Sequence, residues 1–529
     1  MAGTGSGERV RTAEIVAALS LAIDYGMGRP LEQGMHSGVV AARLARALGV
    51  DPQTERAAWL TALLLHVTCT TDAHFSAEVM APGATSAHID PIIFGSPGEQ
   101  FRGALHAVGV GHPNPLDRAA HTVSVMTRWA RARPEHFTAM CEVGPMLSAR
   151  FGLPSDVQEG LGMVTERWDG RGIPHRRAAE ELPMSLRIAH LAVDAAFQST
   201  LHPAHEVAAI MRSRAGGAFD PDVAGAFLAD HLALLEESPD AFRLDVLERE
   251  PRPHLELGGA ALDDALAAFG EFADLAAPCL AGHSGGVSRL AARAAALAGC
   301  GEADVARVRR AGSVHDVGGV TVWADIWTKP EPLSRDDREQ VRLHPYHTQQ
   351  VLAASPTLAA LDPIASHHHE AMDGSGYHRG ESGDAIHPLA RILAAADAFR
   401  VRVEPRHGRP PIPPDLAAQE LRDEAAAGRL DAECVSAVLE AAGEPVGDVP
   451  RPAGLSRREV QVVARLAHGH ATKQIARELG IAVKTADRHV QNAYAKMGVS
   501  SRPAATLFAM QHGLLAWGEL PIDEASARS

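Results

Sequence analysis

Apolar residues recur at three-to-four spacing along most of the chain, as in 38-GVVAARLARALGV-50, the pattern of amphipathic helices packed on a core. Helical signals dominate almost everywhere, so the sequence predicts an all-α protein. Two stretches break the pattern, 405-PRHGRPPIPPD-415 and 443-GEPVGDVPRPAG-454. Proline there removes backbone donors and fixes φ, so both read as linkers. The acidic stretch 235-LEESPDAFRLDVLEREPRP-253 joins two larger halves, and residues 1 to 12, rich in Gly, Ser and Thr, read as frayed. The expected organisation is a helical domain over 13–215, a second over 255–407, a linker with helices over 408–452, and a small unit over 453–516.

The halves read as divergent copies of one another. His36, a helix and His66 in the first half parallel His283, a helix and His315 in the second. Further on, 167-RWDGRGIPHR-176 parallels 371-AMDGSGYHRG-380, and 187-RIAHLAVDAAF-197 parallels 391-RILAAADAF-399.

Composition narrows the class. The 529 residues are 46% hydrophobic, 22% charged and 4% aromatic, which excludes a disordered chain and favours alanine- and leucine-rich helices. Fifty Lys and Arg stand against 65 Asp and Glu, a net charge of −15. Five scattered cysteines with no C-x-x-C pair imply neither a disulfide framework nor a cysteine zinc site. No signal peptide and no apolar run long enough for a membrane helix is visible, so a cytoplasmic location with no membrane partner is expected.

The chemistry lies in the 28 histidines, and their clustering is in the second half. His283, the pair His315 and Asp316, His344, the run His367, His368 and His369, and Asp397 are more imidazole and carboxylate ligands than one ion requires. Such ligands suit divalent iron, manganese, nickel or zinc. Two metals would use them, and a solvent oxygen acidified between two metals suits phosphodiester cleavage. A lone helical histidine is usually a satisfied polar residue, and a His run is often a surface accident. Here, however, His315 closes an apolar helix with Asp316 directly after it, and the HHHE run leads into a glycine-rich turn.

At these residues the second half resembles the HD-GYP branch of the HD-domain metal phosphohydrolases, over about residues 279 to 407. HS-x-x-V at His283, HDVG at His315, KPEPLS from Lys329, HP at His344, HHEAMDGSGY from His368 and RILAAADAF fall in family order. The resemblance implies an all-helical enzyme that hydrolyses a cyclic dinucleotide or another phosphoester. It also implies His283, His315, Asp316, His344, His368, His369 and Asp397 as metal ligands, with His315 and Asp316 as the catalytic pair. Three departures stand out. Gly319 replaces the lysine that touches the substrate phosphate, His378 replaces the GYP proline, and Cys279 stands where an acidic ligand of the three-metal type would sit. Two metals are therefore expected rather than three, and cyclic di-GMP as the particular substrate does not follow. The first half keeps the scaffold without the ligands. Val67 follows His66, Val164 and Thr165 occupy the place of the paired histidines, and Val193 that of Asp397, with Asp194 one residue late. That copy reads as a metal-free binding, sensing or dimerising domain.

The C-terminal unit reverses the charge. Arg457, Arg458, Arg465, Lys473, Arg477, Lys484, Arg488, Lys496 and Arg502 stand against only Glu459, Glu478 and Asp487, which points to nucleic acid. Ser456 and Glu459 form a capping box. After it, 472-TKQIARELG-480 and 483-VKTADRHVQNAYAKMG-498 read as a short helix and a longer basic one, each closed by glycine. That is a helix-turn-helix, whose second member can lie in the major groove. Lys473, Lys484, Thr485, Arg488, His489, Gln491 and Lys496 are the candidate DNA contacts, with Asp487 on the same face. Ile475, Ala476, Val490 and Met497 form the inner face. The segment is similar to the LuxR-type DNA-binding domain, with LSRREVQVVARLAHG, TKQIARELGIAVKTADRHV and YAKMGVSSR in family order and Ala486 where valine is usual. The expected whole is a DNA-binding transcriptional regulator, homodimeric on DNA, whose HD-GYP-like domain hydrolyses or senses a nucleotide. The alternatives are an inactive nucleotide sensor, and a phosphohydrolase whose helix-turn-helix serves only docking or dimerisation.

Overall fold

The structure, a computed structural model, describes residues 9–68, 94–96, 98–100, 115–236, 246–329, 332–406, 410–443 and 452–515. Parts of the three expected linker stretches, Cys69, and Pro330 and Glu331 of the KPEPLS motif lie outside them. Among the described residues the protein is all-α, apart from a three-residue strand pair in which β1 (Arg9–Arg11) runs antiparallel to β2 (Glu256–Gly258). No described helix is long and apolar enough to cross a membrane. The chain divides into two compact units. One is Met1–Ala265 with Trp323–Asp325 and Val351–Ala359, and the other is Leu266–Val322, Ile326–Gln350 and Ala360–Ser529.

The first unit contains α1 (Thr12–Met27), α2 (Gln33–Leu48), α3 (Pro52–Leu64), α4 (Pro115–Arg150), α5 (Ser155–Leu161), α6 (Met184–Ser199), α7 (Ala204–Arg214) and α8 (Pro221–Ala229). Helices α2, α3 and α6 pack on one another around a core that includes the fully buried Trp59. In the second unit α9 (Ala260–Asp274, whose first turns belong to the first unit) leads into α10 (His283–Leu297) and α11 (Glu302–Val314), then α12 (Arg335–Arg342), α13 (His344–Leu352) and α14 (Pro388–Val403). α15 (Pro414–Ala426) and α16 (Ala432–Gly443) follow, and α10 packs on α11, α14 and α16.

Local geometry repeats between the two units. Asp24 at the end of α1 accepts the Gly34 N–H at 3.1 Å, and Asp274 at the end of α9 accepts the Ser284 N–H at 3.1 Å. Each following helix starts after a left-handed residue, Glu32 (φ 64°) or Gly282 (φ 79°), and is closed by a left-handed glycine, Gly49 or Gly299. The third helices are capped by Asp51 and Gly301 and end at Leu65 and His315. These markers correct the sequence matching. Gln33, not His36, occupies the place of His283, Leu65 that of His315, and His66 that of Asp316. The sequence pattern erred because an apolar helix tolerates a one- or three-residue slip when a histidine happens to lie nearby.

Downstream, the matching at Val164, Thr165 and Val193 agrees with the structure. Glu166 accepts the His175 and Arg177 N–H groups at 2.8 and 3.0 Å, as Glu370 accepts those of Arg379 and Glu381 at 2.7 and 2.9 Å. Each carboxylate folds a glycine-containing loop back so tightly that a Cβ on Gly172 would lie 2.4 Å from Glu166 Cα, and one on Gly376 would lie 2.4 Å from the Ala371 nitrogen.

The second unit ends in α17 (Arg457–Ala467), α18 (Thr472–Glu478), α19 (Val483–Met497) and α20 (Arg502–Gln511). Ser456 and Glu459 form the expected capping box, and Gly498 closes α19 in the left-handed conformation. The turn after α17 rests on the residues just before α10. A Cβ on Gly469 would come within 2.9 Å of Pro278, and one on Gly282 within 3.3 Å of Leu515. His468, next to Gly469, faces the Pro278 backbone, and burial holds its imidazole down to about 4.

In the first unit, burial likewise depresses His36 and His190 to about 4, and the His190 Nε2 lies 3.0 Å from the Val164 carbonyl. Both rings are neutral in the fold, whereas the unfolded chain takes up protons below the ordinary value of 6.5. Their stabilisation is therefore complete above 6.5 and is lost as pH falls toward 4, by roughly 2 kcal/mol per ring at pH 5. Calorimetric melting of the full chain should show Tm falling steadily from pH 7 to pH 5, with a shallower slope in His190→Gln.

Candidate metal centre and nucleic-acid interface

Five pieces of backbone in the second unit converge on one point. His283 is the first residue of α10, His315 caps the end of α11, and Asp316 enters the turn Val317–Thr321. His344 opens α13, His368 and His369 follow the short helix Asp362–Ala365, and Asp397 lies inside α14. Small residues permit the approach. A Cβ on Gly312 would lie 2.8 Å from Ser288 Cα, so α11 lies directly on α10, and one on Gly318 would lie 2.1 Å from the His344 carbonyl oxygen. Asp274 fixes the start of α10 by accepting the Ser284 hydroxyl at 2.6 Å as well as its N–H.

The carboxylate of Asp316 stands in the middle with its two oxygens facing different partners. Oδ2 lies 3.6 Å from His283 Nε2 and 3.7 Å from His315 Nε2, and those two rings also face Asp397 Oδ1 at 3.1 and 4.0 Å. Oδ1 lies 3.1 Å from His344 Nε2 and 3.3 Å from His368 Nε2, and His369 Nδ1 is 3.9 Å from Asp397 Oδ2. Separations of this size are the edges of coordination shells with bonds of about 2.1 Å, the distance expected for a divalent ion bound by imidazole and carboxylate. All seven expected ligands are thus brought together. His367 is not among them; its Nδ1 points to Glu381 at 3.5 Å.

The tautomers argue for a cation. The Nδ1 atoms of His315, His344 and His368 lie 2.8, 2.5 and 2.6 Å from the carbonyl oxygens of Gly312, Val341 and Ala365. A carbonyl only accepts, so the proton is on Nδ1 and each Nε2 of a neutral ring presents a lone pair. Yet His344 Nε2 and His368 Nε2 face one another at 3.1 Å, and buried His315 Nε2 has no hydrogen-bond partner. Opposed lone pairs repel, and a metal ion or a proton between them relieves the repulsion.

Electrostatics point the same way. Burial alone would raise the Asp316 carboxyl, but the surrounding His315 and His344 hold it well below the usual carboxylate range. Burial drives His369 well down and holds His315 down to about 4, so both are neutral bases ready to ligate. Against the pull of its burial, His283 is raised to about 10, chiefly by Glu404, whose carboxylate contacts His283 Nδ1 at 2.7 Å. His283 Nε2 would hold a divalent ion in place of that second proton. Glu404 escaped the sequence reading, although its position seven residues after Asp397 puts it two turns along the same helical face. Tyr377, stacked on His369 with ring centroids 4.7 Å apart, was part of the GYP motif but was not assigned a role. Gly319 has only the Trp327 ring near it, and Cys279 directs its thiol to the Trp327 carbonyl 3.6 Å away.

On the C-terminal unit, Ile475, Ala476, Ala486, Val490 and Met497 are buried as the inner face. Lys484, Asp487, Arg488 and Gln491 are exposed on one stripe of α19, with Lys473 exposed on α18 and Thr485 and His489 half-buried. Lys496 is engaged otherwise. Its Nζ donates to Glu459 at 2.7 Å and to the Gly454 carbonyl at 3.1 Å, tying α19 to the capping box of α17.

Residues 267–434 match the HD domain family, and residues 453–509 match the bacterial regulatory proteins of the luxR family. The chain is 27% identical over 446 residues to the 3'3'-cGAMP-specific phosphodiesterase 3 of Vibrio cholerae, covering 81% of this chain and 94% of that protein. It is also 34% identical over 158 residues to the cyclic di-GMP phosphodiesterase response regulator RpfG of Xanthomonas campestris, and 33% identical over 161 residues to a cyclic di-GMP phosphodiesterase of Thermotoga maritima. It spans 41% and 43% of those two proteins. Among solved structures, a cyclic GMP-AMP specific phosphodiesterase of V. cholerae (V-cGAP3) superposes with a TM-score of 0.56 at 24% identity, covering 82% of this chain and 98% of that one, a likeness of fold.

Glu404→Gln should weaken metal retention by roughly 10- to 100-fold, because it removes the carboxylate that orients His283. Metal analysis after dialysis against a graded chelator series measures this. Retention equal to wild type would show that Glu404 has no part in binding.

Proposed function

We infer that this chain, an HD domain of the HD-GYP phosphodiesterase kind joined to a luxR-type helix-turn-helix, is a DNA-binding regulator whose metal centre cleaves a phosphodiester, with a cyclic dinucleotide as the substrate class. The observation that carries this reading is the shared carboxylate of Asp316, with one oxygen toward His283 and His315 and the other toward His344 and His368. Two divalent ions fit such a donor set, one held by His283, His315, Asp316 and Asp397, the other by Asp316, His344, His368 and His369. Iron, manganese, nickel and zinc all accept these ligands. When bound, such ions neutralise phosphate charge and lower the pKa of solvent.

The chain's own contribution is orientation. Backbone carbonyls lock three imidazoles with Nε2 inward, Glu404 does the same for His283, and His283, His315, His344, His368 and Asp397 are buried while Asp316 and His369 keep partial access. The relatives named for 3'3'-cGAMP and cyclic di-GMP phosphodiesterase activity support the substrate class. Gly319 in place of a phosphate-binding lysine favours a second reading, a centre that binds the nucleotide without turning it over. The first half, 13–215, serves in either case as a copy without ligands, and the luxR-type segment reads DNA through Lys473, Lys484, Thr485, Arg488, His489 and Gln491, with Lys496 bracing α19. A dimer on two half-sites follows from that mode of reading.

Metal content and hydrolysis of 3'3'-cGAMP, cyclic di-GMP and a generic phosphodiester should be measured on wild type beside Asp316→Ala. The expected result is two ions per chain with turnover, both lost in the variant. Metal without turnover would select the sensing reading, and wild-type protein without metal would refute both. Arg488→Ala should weaken DNA binding roughly tenfold or more, since a good base contact is worth about 1–3 kcal/mol. Binding by wild type that does not fall with rising salt would count against the DNA-reading role.

A further inference from the structure

A phosphodiester substrate is anionic wherever the metal ions do not touch it, and Gly319 leaves that charge without the lysine of the resembled family. We propose that Arg342 is the phosphate-binding cation of this site, resting on the phosphohydrolase reading above. Arg342 is the last residue of α12, two positions before the ligand His344. Its guanidinium lies over the ring of Tyr377, 4.7 Å from the centroid, and that ring in turn stacks on the ligand His369 at 4.7 Å. The Tyr377 ring thus links the guanidinium to the imidazole of His369.

The other cations close to the centre are already answered by carboxylates. Arg400 contacts Glu404 at 2.8 Å, Arg406 the same residue at 3.7 Å, Arg379 contacts Asp362 at 3.5 Å and Glu381 at 3.7 Å, and Lys329 contacts Asp337 at 2.6 Å. Arg342 is exposed, and among the described residues no carboxylate lies within ion-pair distance of it. A guanidinium supported on a ring face keeps its N–H donors available at its edge, the arrangement suited to a phosphate oxygen.

The geometry at Gly319 supplies the control. The nearest atom to a Cβ built there is Trp327 Cζ2 at 4.0 Å, and its φ is not left-handed, so a lysine fits. Gly318 beside it lies against the His344 carbonyl, which places residue 319 next to the turn that follows Arg342.

The test is calorimetric titration of the full-length, manganese-loaded protein with cyclic di-GMP and, separately, with inorganic phosphate. Arg342→Ala should retain its metal and lose roughly tenfold or more in affinity for cyclic di-GMP, and Gly319→Lys added to it should restore most of the loss. An equal loss toward inorganic phosphate would identify the ligand group as any phosphate at the centre, and a loss confined to cyclic di-GMP would identify it as the phosphodiester; either outcome supports the contact. Unchanged affinity in Arg342→Ala, a loss that Gly319→Lys does not correct, or metal-loaded wild type that binds neither probe would overturn it. Binding that depends on Arg342 without any turnover would instead sink the hydrolase reading and leave the contact standing.

Discussion

The second unit is organised around a repulsion that its own backbone enforces. Carbonyl oxygens from α11, from the end of α12 and from the end of the short helix Asp362–Ala365 claim the Nδ1 protons of three imidazoles, so their Nε2 lone pairs must meet in one space with the Asp316 carboxylate. A hydrophobic core of the same volume would be easier to stabilise, because burying several polar and charged groups costs more than their mutual contacts return. Gly312 and Gly318, the Asp274 clamp on Ser284 and the Glu404 contact to His283 all serve to hold groups together that would otherwise move apart.

The first unit shows what the same framework is without that demand. It keeps the aspartate clamp, the left-handed entry and exit of the second helix, and the loop folded on a glutamate, but presents Gln33, Leu65, Val164 and Val193 where the other unit has His283, His315, His368 and Asp397. Among the described residues matched here, His66 takes a site position, that of Asp316. With Gln33, Leu65, Val164 and Val193 in place of imidazoles and a carboxylate, those positions are ordinary buried core, so the clamps and loops are features of the fold that do not require the histidine cluster.

Helix content, the repeat and the seven histidines and aspartates that the fold brings together were legible in the sequence, because helical periodicity and His-Asp spacing are local signals. Registration between the copies was not. It depends on φ at Glu32 and Gly282 and on side-chain clamps that no single residue type announces, which is why His36 drew a false match with His283. Glu404 and Tyr377 were hidden for another reason. Glu404 acts on His283, 121 residues away in the chain, and the Tyr377 ring meets His369 only because the intervening loop folds back on itself. Lys496 is the opposite case: its charge suggested DNA, whereas the fold uses it to brace the capping box of α17.

The contact of Gly469 with Pro278 bears on how such a chain can evolve. Gly469 is left-handed, with φ 86°, and has no room for a Cβ, so two independent constraints act on one position. The residue it touches lies five before His283, on the segment that delivers the first histidine of the cluster. A luxR-type unit transplanted from another protein would satisfy the backbone constraint with any glycine-closed helix, but would still have to match the surface of this proline turn. Recombination at this junction is therefore not modular: the two domains must drift together, and a hybrid assembled from unrelated halves would carry a mismatch beside the histidine cluster.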